Sequence, residues 1–126
     1  MTATTTDYAA AVERYLAVWN EPDPVRRRAL AEAAFTEDAA YTDPLADVAG
    51  RDAVDMVVGA VRNEFPGLTF TLAGPVDGHH NLVRFTWHLG PEGGEALAIG
   101  FDVAVLAEDG RIRTVHGFLD KVPTGS

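Results

Sequence analysis

The chain has 126 residues, 19 acidic against 10 basic side chains, a formal net charge of −9, and no cysteine. One compact domain fits that length, so residues 1–126 are read as a single domain with a real core. The missing cysteines exclude disulfides, thiolate nucleophiles and cysteine-based zinc sites, and the acidic balance excludes nucleic acid and anionic membrane surfaces as partners.

The apolar fraction of 47% and charged fraction of 23% describe a globular chain. No apolar run approaches the ~20 residues of a membrane span. Met1–Thr6 offers neither a basic nor an apolar stretch for export, so a cytoplasmic location is expected.

The first half reads as helical. Thr5 or Thr6 caps a first helix, with Asp7 in its first turn, and Tyr8, Val12, Tyr15, Leu16 and Trp19 recur along one apolar face. Asn20-Glu21-Pro22 ends it, and Asp23-Pro24 starts a second helix running to about Ala34. Its inward residues are read as Val25, Ala29, Leu30 and Ala33, and Arg26-Arg27-Arg28 as a solvated face. Thr36-Glu37-Asp38 reads as a turn, and Ala39–Thr42 as a short strand before Asp43-Pro44. A third helix opens at Gly50-Arg51-Asp52. Val54, Val57, Val58, Val61 and Phe65 give it the clearest helical spacing in the chain. Pro66-Gly67 stops it.

Beyond Gly67 the period changes to two. Leu68–Ala73 is a strand and Pro75–Asn81 a polar turn. Along Leu82–Leu89, Val83, Phe85, Trp87 and Leu89 face one way, and Arg84, Thr86 and His88 the other. Gly90–Gly94 makes a hairpin loop, Ala96–Ala107 is a strand apolar on both faces, Glu108-Asp109-Gly110 is a turn, and Arg111–Val122 is the last strand. Short turns between consecutive strands imply an antiparallel meander. The fold class is therefore α+β, with three N-terminal helices packed on one face of a curved sheet.

Asp102 is the only charge between Ala96 and Ala107. A carboxylate on such a strand loses its hydration, so it either finds a partner or is pushed toward its neutral form. The partner reading gives it a backbone N–H, Arg84 or a histidine. The functional reading makes it a neutral acid that donates to a developing oxyanion. Ala96, Ala98, Gly100 and Ala104 share its strand parity and leave room for a cavity, whereas Leu97, Ile99, Phe101, Val103 and Val105 make a second apolar face. A second copy of the chain covers that outer face in the expected homodimer. Tyr15 is a candidate second oxyanion donor, and Asp43 a candidate general base at the cavity mouth, with Tyr41 on the same face of its strand. Trp19, Tyr41, Phe85, Trp87, His116, Phe118 and Asp120 are candidate pocket residues. A bulge near Gly117 would exchange His116, Phe118 and Asp120 for Val115, Gly117 and Leu119 on the cavity side. His79, His80, His88 and His116 match no metal-ligand spacing, so no metal site is expected. No nucleotide fingerprint and no Ser-His-Asp arrangement appears.

Several stretches together resemble the nuclear transport factor 2-like superfamily and its SnoaL-like group, which includes polyketide cyclases and ketosteroid isomerases. They are Glu13–Asn20 followed by Asp23, then Phe35–Pro44, Gly50–Ala53, Phe101-Asp102-Val103, Glu108–Ile112 and His116–Asp120. The resemblance spans about residues 7–122. It implies a cone of helices over a strongly curved antiparallel sheet, an internal pocket and frequent dimers. Tyr15, Asp43 and Asp102 fall where ketosteroid isomerases have the oxyanion-hole tyrosine, the proton-shuttling base and the neutral aspartic acid. Trp87, Gly117 and Asp120 depart from that pattern. Arg84 and Asp120 match two charged positions of limonene epoxide hydrolases, but Thr86 stands where those enzymes have the carboxylate between them.

The expected function is therefore a cofactor-independent acid/base catalyst, of isomerase or cyclase type, acting next to a carbonyl of a small apolar molecule. Asp43 is the base, while Tyr15 and Asp102 stabilise the enolate. The alternative is a non-catalytic ligand-binding or dimerising module of the same fold, and a third reading is epoxide hydrolase-like chemistry.

Overall fold

The computed structural model describes residues 7–123. Its elements in chain order are α1 (Tyr8–Asn20), α2 (Pro24–Ala34), β1 (Phe35–Asp43), β2 (Ala46–Ala49), α3 (Arg51–Glu64), β3 (Thr69–His79), β4 (Leu82–Gly90), β5 (Ala98–Leu106) and β6 (Ile112–Lys121). The six strands form one sheet in the order β2-β1-β6-β5-β4-β3. The strands from β3 to β6 run as the antiparallel meander expected from their short turns. Irregularities in the β1–β6, β3–β4 and β5–β6 pairings bend the sheet. No helix among the described residues is long and apolar enough to cross a membrane.

The α+β architecture stands, but the three helices are not consecutive. A β-hairpin separates α2 from α3, and its first strand pairs parallel with β6, so the sheet is mixed. Strand β1 begins at Phe35 and takes in Thr36–Asp38, where a turn was expected. The Thr36 hydroxyl donates to Asp38 Oδ1 at 2.7 Å, which satisfies these polar side chains within an extended chain. The expected turn at Pro75–Asn81 also resolves differently. Strand β3 is at the sheet edge, where a proline removes no ladder bond, and it continues through an irregularity between Ala73 and Asp77. The reversal falls at His80-Asn81, with His80 at a positive φ of 50°.

Helix α1 is capped by Asp7, whose carboxylate accepts the Ala10 N–H at 2.9 Å. Thr5 and Thr6, the expected caps, lie outside the described residues. Its apolar stripe is buried as the spacing predicted and carries Tyr15 and Trp19 inward. Asp23 caps α2 through the Arg26 N–H, with Pro24 in the first turn. Of the predicted inward residues of α2 only Leu30 packs against the core: Ala29 and Ala33 are exposed, Val25 is 79% exposed, and Arg27, Ala31 and Ala34 are the buried ones. Arg27 reaches the interior because Asp55 of α3 receives its Nε–H at 2.8 Å and the Glu21 carbonyl its Nη1–H at 3.1 Å. A local reading of a basic run cannot see a partner on another helix.

On β5 the alternation is as expected. Ala98, Gly100, Asp102, Ala104 and Leu106 are buried under the helices, and Ile99, Phe101, Val103 and Val105 are half-buried on the opposite face.

Candidate active site

Three elements bring the polar residues together. Asp102 lies on β5 directly opposite Gly117 of β6, and β1 runs beside β6 with Tyr41 opposite Val115 and Thr42 opposite His116. Side chains alternate along a strand, so Tyr41, Asp43, Val115, Gly117 and Asp102 all project to the helix side. Gly117 separates the two carboxyl groups. A Cβ built there would lie 2.9 Å from Asp102 Oδ1 and 3.3 Å from Asp43 Cβ. The glycine makes room for both acids.

Helix α1 supplies Tyr15. Its hydroxyl donates to Asp102 Oδ2 at 2.7 Å, across 87 residues of sequence. The partner is thus none of the three expected from the sequence, a backbone N–H, Arg84 or a histidine: the hydrogen bond to the carboxyl comes from a phenol on another element. The Tyr15 ring is fixed edge-on by Phe35 and Phe85, at centroid distances of 5.9 and 5.5 Å. Asp43 is held as firmly. Its Oδ2 accepts the Tyr41 hydroxyl at 2.6 Å, and its Oδ1 accepts the Leu45 and Ala46 N–H groups at 2.8 Å each. The turn-forming role of Asp-Pro and the projection of the carboxylate toward the cavity are thus the same geometry.

These groups border a cavity of about 740 Å³ beneath α1 and α3. Tyr15, Leu16, Trp19, Tyr41, Phe70, Trp87, Leu89, Ala98 and Leu119 form its walls. Asp43, Pro44, Leu45, Val61, Glu64, Phe65, Val122 and Pro123 complete the lining, with Leu45 86% exposed. Trp87 fits because its cross-strand neighbour is Gly100, where a Cβ would fall 2.0 Å from the indole ring.

Of the residues singled out in the sequence, Tyr15, Trp19, Tyr41, Asp43 and Trp87 line the cavity. Asp102 does not; it lies behind Tyr15, 2% exposed. Phe85 is likewise buried behind the wall, against the Tyr15 ring. His116, Phe118 and Asp120 are on the other side of the sheet, with Phe118 58% exposed. The physical reason is strand parity: β6 turns Val115, Gly117 and Leu119 inward, and no irregularity falls between Val115 and the residue facing Asp102 to reverse it. Arg84, Thr86 and Asp120 share that outer side. Arg84 pairs with Asp77 at 3.0 Å, so the charge set needed for epoxide hydrolase-like chemistry does not reach the cavity.

Leu119 lines the cavity as the alternative parity of the last strand has it, whereas Phe70, Val61 and Phe65 line it without having been singled out in the sequence. Val61 and Phe65 belong to the apolar spacing of the third helix, which by itself does not separate a cavity wall from core. Gly117 was visible as a departure from the family pattern, and its position opposite Asp102 explains it.

Burial strongly favours the neutral form of Asp102. Hydrogen bonding from Tyr15 and Trp87 pulls it partway back, the Asp43 charge pushes it up again, and its pKa rests at about 6. Burial, reinforced by Asp102, raises the Tyr15 phenol well above its ordinary range. Burial also raises Tyr41, helped by Asp102 and by Tyr41's own bond to Asp43. The site is therefore two phenol–carboxyl pairs. Both phenols stay protonated, and one carboxyl exchanges its proton near neutrality.

The sequence profile of the SnoaL-like domain matches residues 12–115. A solved structure from Agrobacterium tumefaciens strain C58, named as a "putative isomerase of the SnoaL-like family", is 43% identical with a TM-score of 0.85, covering 92% of this chain and 99% of that one. A "putative SnoaL-like polyketide cyclase" from Jannaschia sp. CCS1 is 16% identical with a TM-score of 0.70, covering 95% of this chain and 92% of that one. A SnoaL-like protein from Burkholderia thailandensis E264 is 13% identical with a TM-score of 0.71, covering 94% of this chain and 98% of that one. These last two likenesses concern the fold alone. No curated protein matches the chain.

Proposed function

We propose, for a chain that belongs to the SnoaL-like domain family, that the cavity binds a small apolar molecule and moves a proton next to its carbonyl, by isomerisation or by ring closure. The observation that carries this reading is Tyr15 on the wall of an apolar cavity with Asp102 bonded behind it, and Asp43 across Gly117 on the same wall. The name given to the 43% identical Agrobacterium relative agrees with it.

In this scheme Asp43 takes the proton from the carbon beside the carbonyl. The C–H electrons pass through the new C=C bond onto the carbonyl oxygen, giving an enolate. Tyr41 and the two backbone N–H groups keep the receiving carboxylate in place. The enolate oxygen is met by Tyr15. When Asp102 is protonated it donates to the Tyr15 oxygen, which frees the phenol proton for the enolate. Protonated Asp102 thus strengthens Tyr15 as a donor, and this state gains population as pH falls toward about 6. Returning the proton to a different carbon completes an isomerisation, and attack of the enolate carbon on a second carbonyl, with the proton on Asp43 passing to the new alkoxide oxygen, completes a ring closure. No cofactor enters either route.

The test is α-carbon hydrogen exchange. A panel of cyclic and polyketide-like ketones in D2O, followed by NMR, is expected to gain deuterium with the wild-type protein. Asp43→Asn is expected to lose about 10²–10⁴-fold in rate. Ketones that bind without exchange would reject proton transfer. They would favour a ligand-binding module, a reading supported by the three hydrogen bonds that Asp43 already accepts, as a purely structural turn residue does.

The homodimer belongs to the same proposal. Phe101, Val103 and Val105 of β5 and Phe118 of β6 make an apolar row on the outer sheet face, which a second copy of the chain covers. Phe118→Arg is expected to shift sedimentation from dimer to monomer, and an unchanged dimer would place the interface elsewhere.

A further inference from the structure

The helix side of β5 carries Ala98, Gly100, Asp102 and Ala104, so its backbone leaves space above it that only a neighbour can fill. That neighbour is β4, which sets Phe85 opposite Asp102 and Trp87 opposite Gly100. The Trp87 indole lies across the glycine. A Cβ at position 100 would fall 2.0 Å from its Cζ2, 2.1 Å from its Cε2 and 2.6 Å from its Nε1, so any side chain there would evict the ring. Phe70 holds the ring edge-on at a centroid distance of 5.1 Å. The same indole stands close enough to the Asp102 carboxyl to favour its charged form. Trp87 is itself a cavity wall, whereas of Ala98, Gly100, Asp102 and Ala104 only Ala98 lines the cavity. The room over Gly100 therefore exists in the backbone and is closed by one side chain.

We propose that Trp87 is the specificity-determining residue of the cavity: its indole fills the space over Gly100, sets the inner limit of the guest and, with Tyr15, keeps the guest off Asp102. The inference rests on the reading of the cavity as a site for a carbonyl compound held at Tyr15, but not on any proton transfer. It narrows the ligand class. With the carbonyl oxygen at the Tyr15 hydroxyl, the carbonyl substituent on the side of residue 87 is small, a hydrogen or a methyl group. The bulk of the molecule lies on the other side, toward the exposed Leu45 and Val122. A close-packed aromatic wall rejects added volume because the ring over Gly100 has nowhere to retreat.

The probes are acetophenone and benzophenone, which differ in carrying a methyl or a phenyl group on the second side of the carbonyl. Equilibrium dialysis gives their affinities, and the quantity read is the ratio of benzophenone to acetophenone binding. In Trp87→Ala that ratio is expected to rise about 10-fold over wild type, the worth of burying the added ring in the space the indole leaves. Free indole refills that space, and at saturation it is expected to bring the ratio back to within about twofold of wild type measured with indole present. Trp87→Phe keeps a ring against Phe70 and is expected to raise the ratio about 3-fold, which keeps the test in force if the alanine variant does not fold. A ratio that moves less than about twofold in the folded variants would overturn the role of Trp87 while leaving the cavity reading intact. So would a raised ratio that indole does not lower, since that reports a loosened fold and not a vacated ring site. If neither ketone binds the wild-type protein, the cavity reading falls and the role of Trp87 with it.

Discussion

Replacing Asp102 by Asn changes the pH dependence of stability in a direction that the structure fixes. In the unfolded chain the carboxyl has its ordinary value of 3.8, and in the folded protein burial lifts it to about 6. The native state therefore holds this proton more tightly than the unfolded state. Between about pH 4 and pH 6 the wild-type protein loses stability as pH rises, and above pH 6 it carries the full penalty of a buried charge. At 1.36 kcal/mol per pH unit, that penalty is about 3 kcal/mol. Asparagine keeps the shape and an oxygen for the Tyr15 hydroxyl, but it has no charge to bury. The gap between variant and wild type is expected to widen in the variant's favour by about 2.5 kcal/mol from pH 4 to pH 7.5. For a domain this size that corresponds to about 10 °C in Tm. Urea denaturation at fixed protein concentration across that range measures it. Any misfit of the amide adds a pH-independent offset, so the slope and not the absolute value is diagnostic. A gap that stays flat across the range would refute the burial argument.

Asp55→Ala leaves the Arg27 guanidinium inside without its carboxylate, the two side chains being 9% and 17% exposed. A loss of about 3 kcal/mol is expected in urea unfolding, and a loss below about 0.5 kcal/mol would mean the pair behaves as a surface one. Gly117→Ala pushes a methyl group to 2.9 Å from Asp102 Oδ1 and 3.3 Å from Asp43 Cβ. Alanine ordinarily suits a strand better than glycine, so a loss of about 1–3 kcal/mol here reports the crowding of the two acids. A gain would show that they have room to part.

The parts of this protein that were legible in the sequence are those encoded by local alternation. Asp102 stood out as a lone charge on a strand whose inward positions are small, and its parity held because the β4–β5 register is unbroken through it. The third helix and the meander followed from spacing and turn residues. Contacts made across the chain were not legible. Strand β1 is longer than its local sequence indicates because Thr36, Glu37 and Asp38 look like turn chemistry, and nothing local shows that Phe35 before them and Ala40–Thr42 after them will pair with β6. Arg27 was read as solvated because its partner is on another helix. His116, Phe118 and Asp120 were placed in the cavity because one strand offers two faces, and the choice depended on what stood opposite Asp102. Gly117 decides it, being the residue without a side chain to collide with that carboxyl. The direct bond from Tyr15 to Asp102 also escaped a reading that placed both at a shared ligand atom. Only the packing of α1 against the sheet shows that one stands in front of the other.

The proton on Asp102 can be followed directly. In protein labelled with 13C at the aspartate carboxyls, with the signal assigned by Asp102→Asn, the account predicts a carboxyl that titrates at about 6. It also predicts an upward move of that midpoint in Tyr15→Phe, because the phenol's hydrogen bond favours the charged form. A midpoint in the ordinary carboxylate range, unmoved by the loss of the Tyr15 hydroxyl, would contradict the picture of a cavity wall that holds an exchangeable proton behind its phenol.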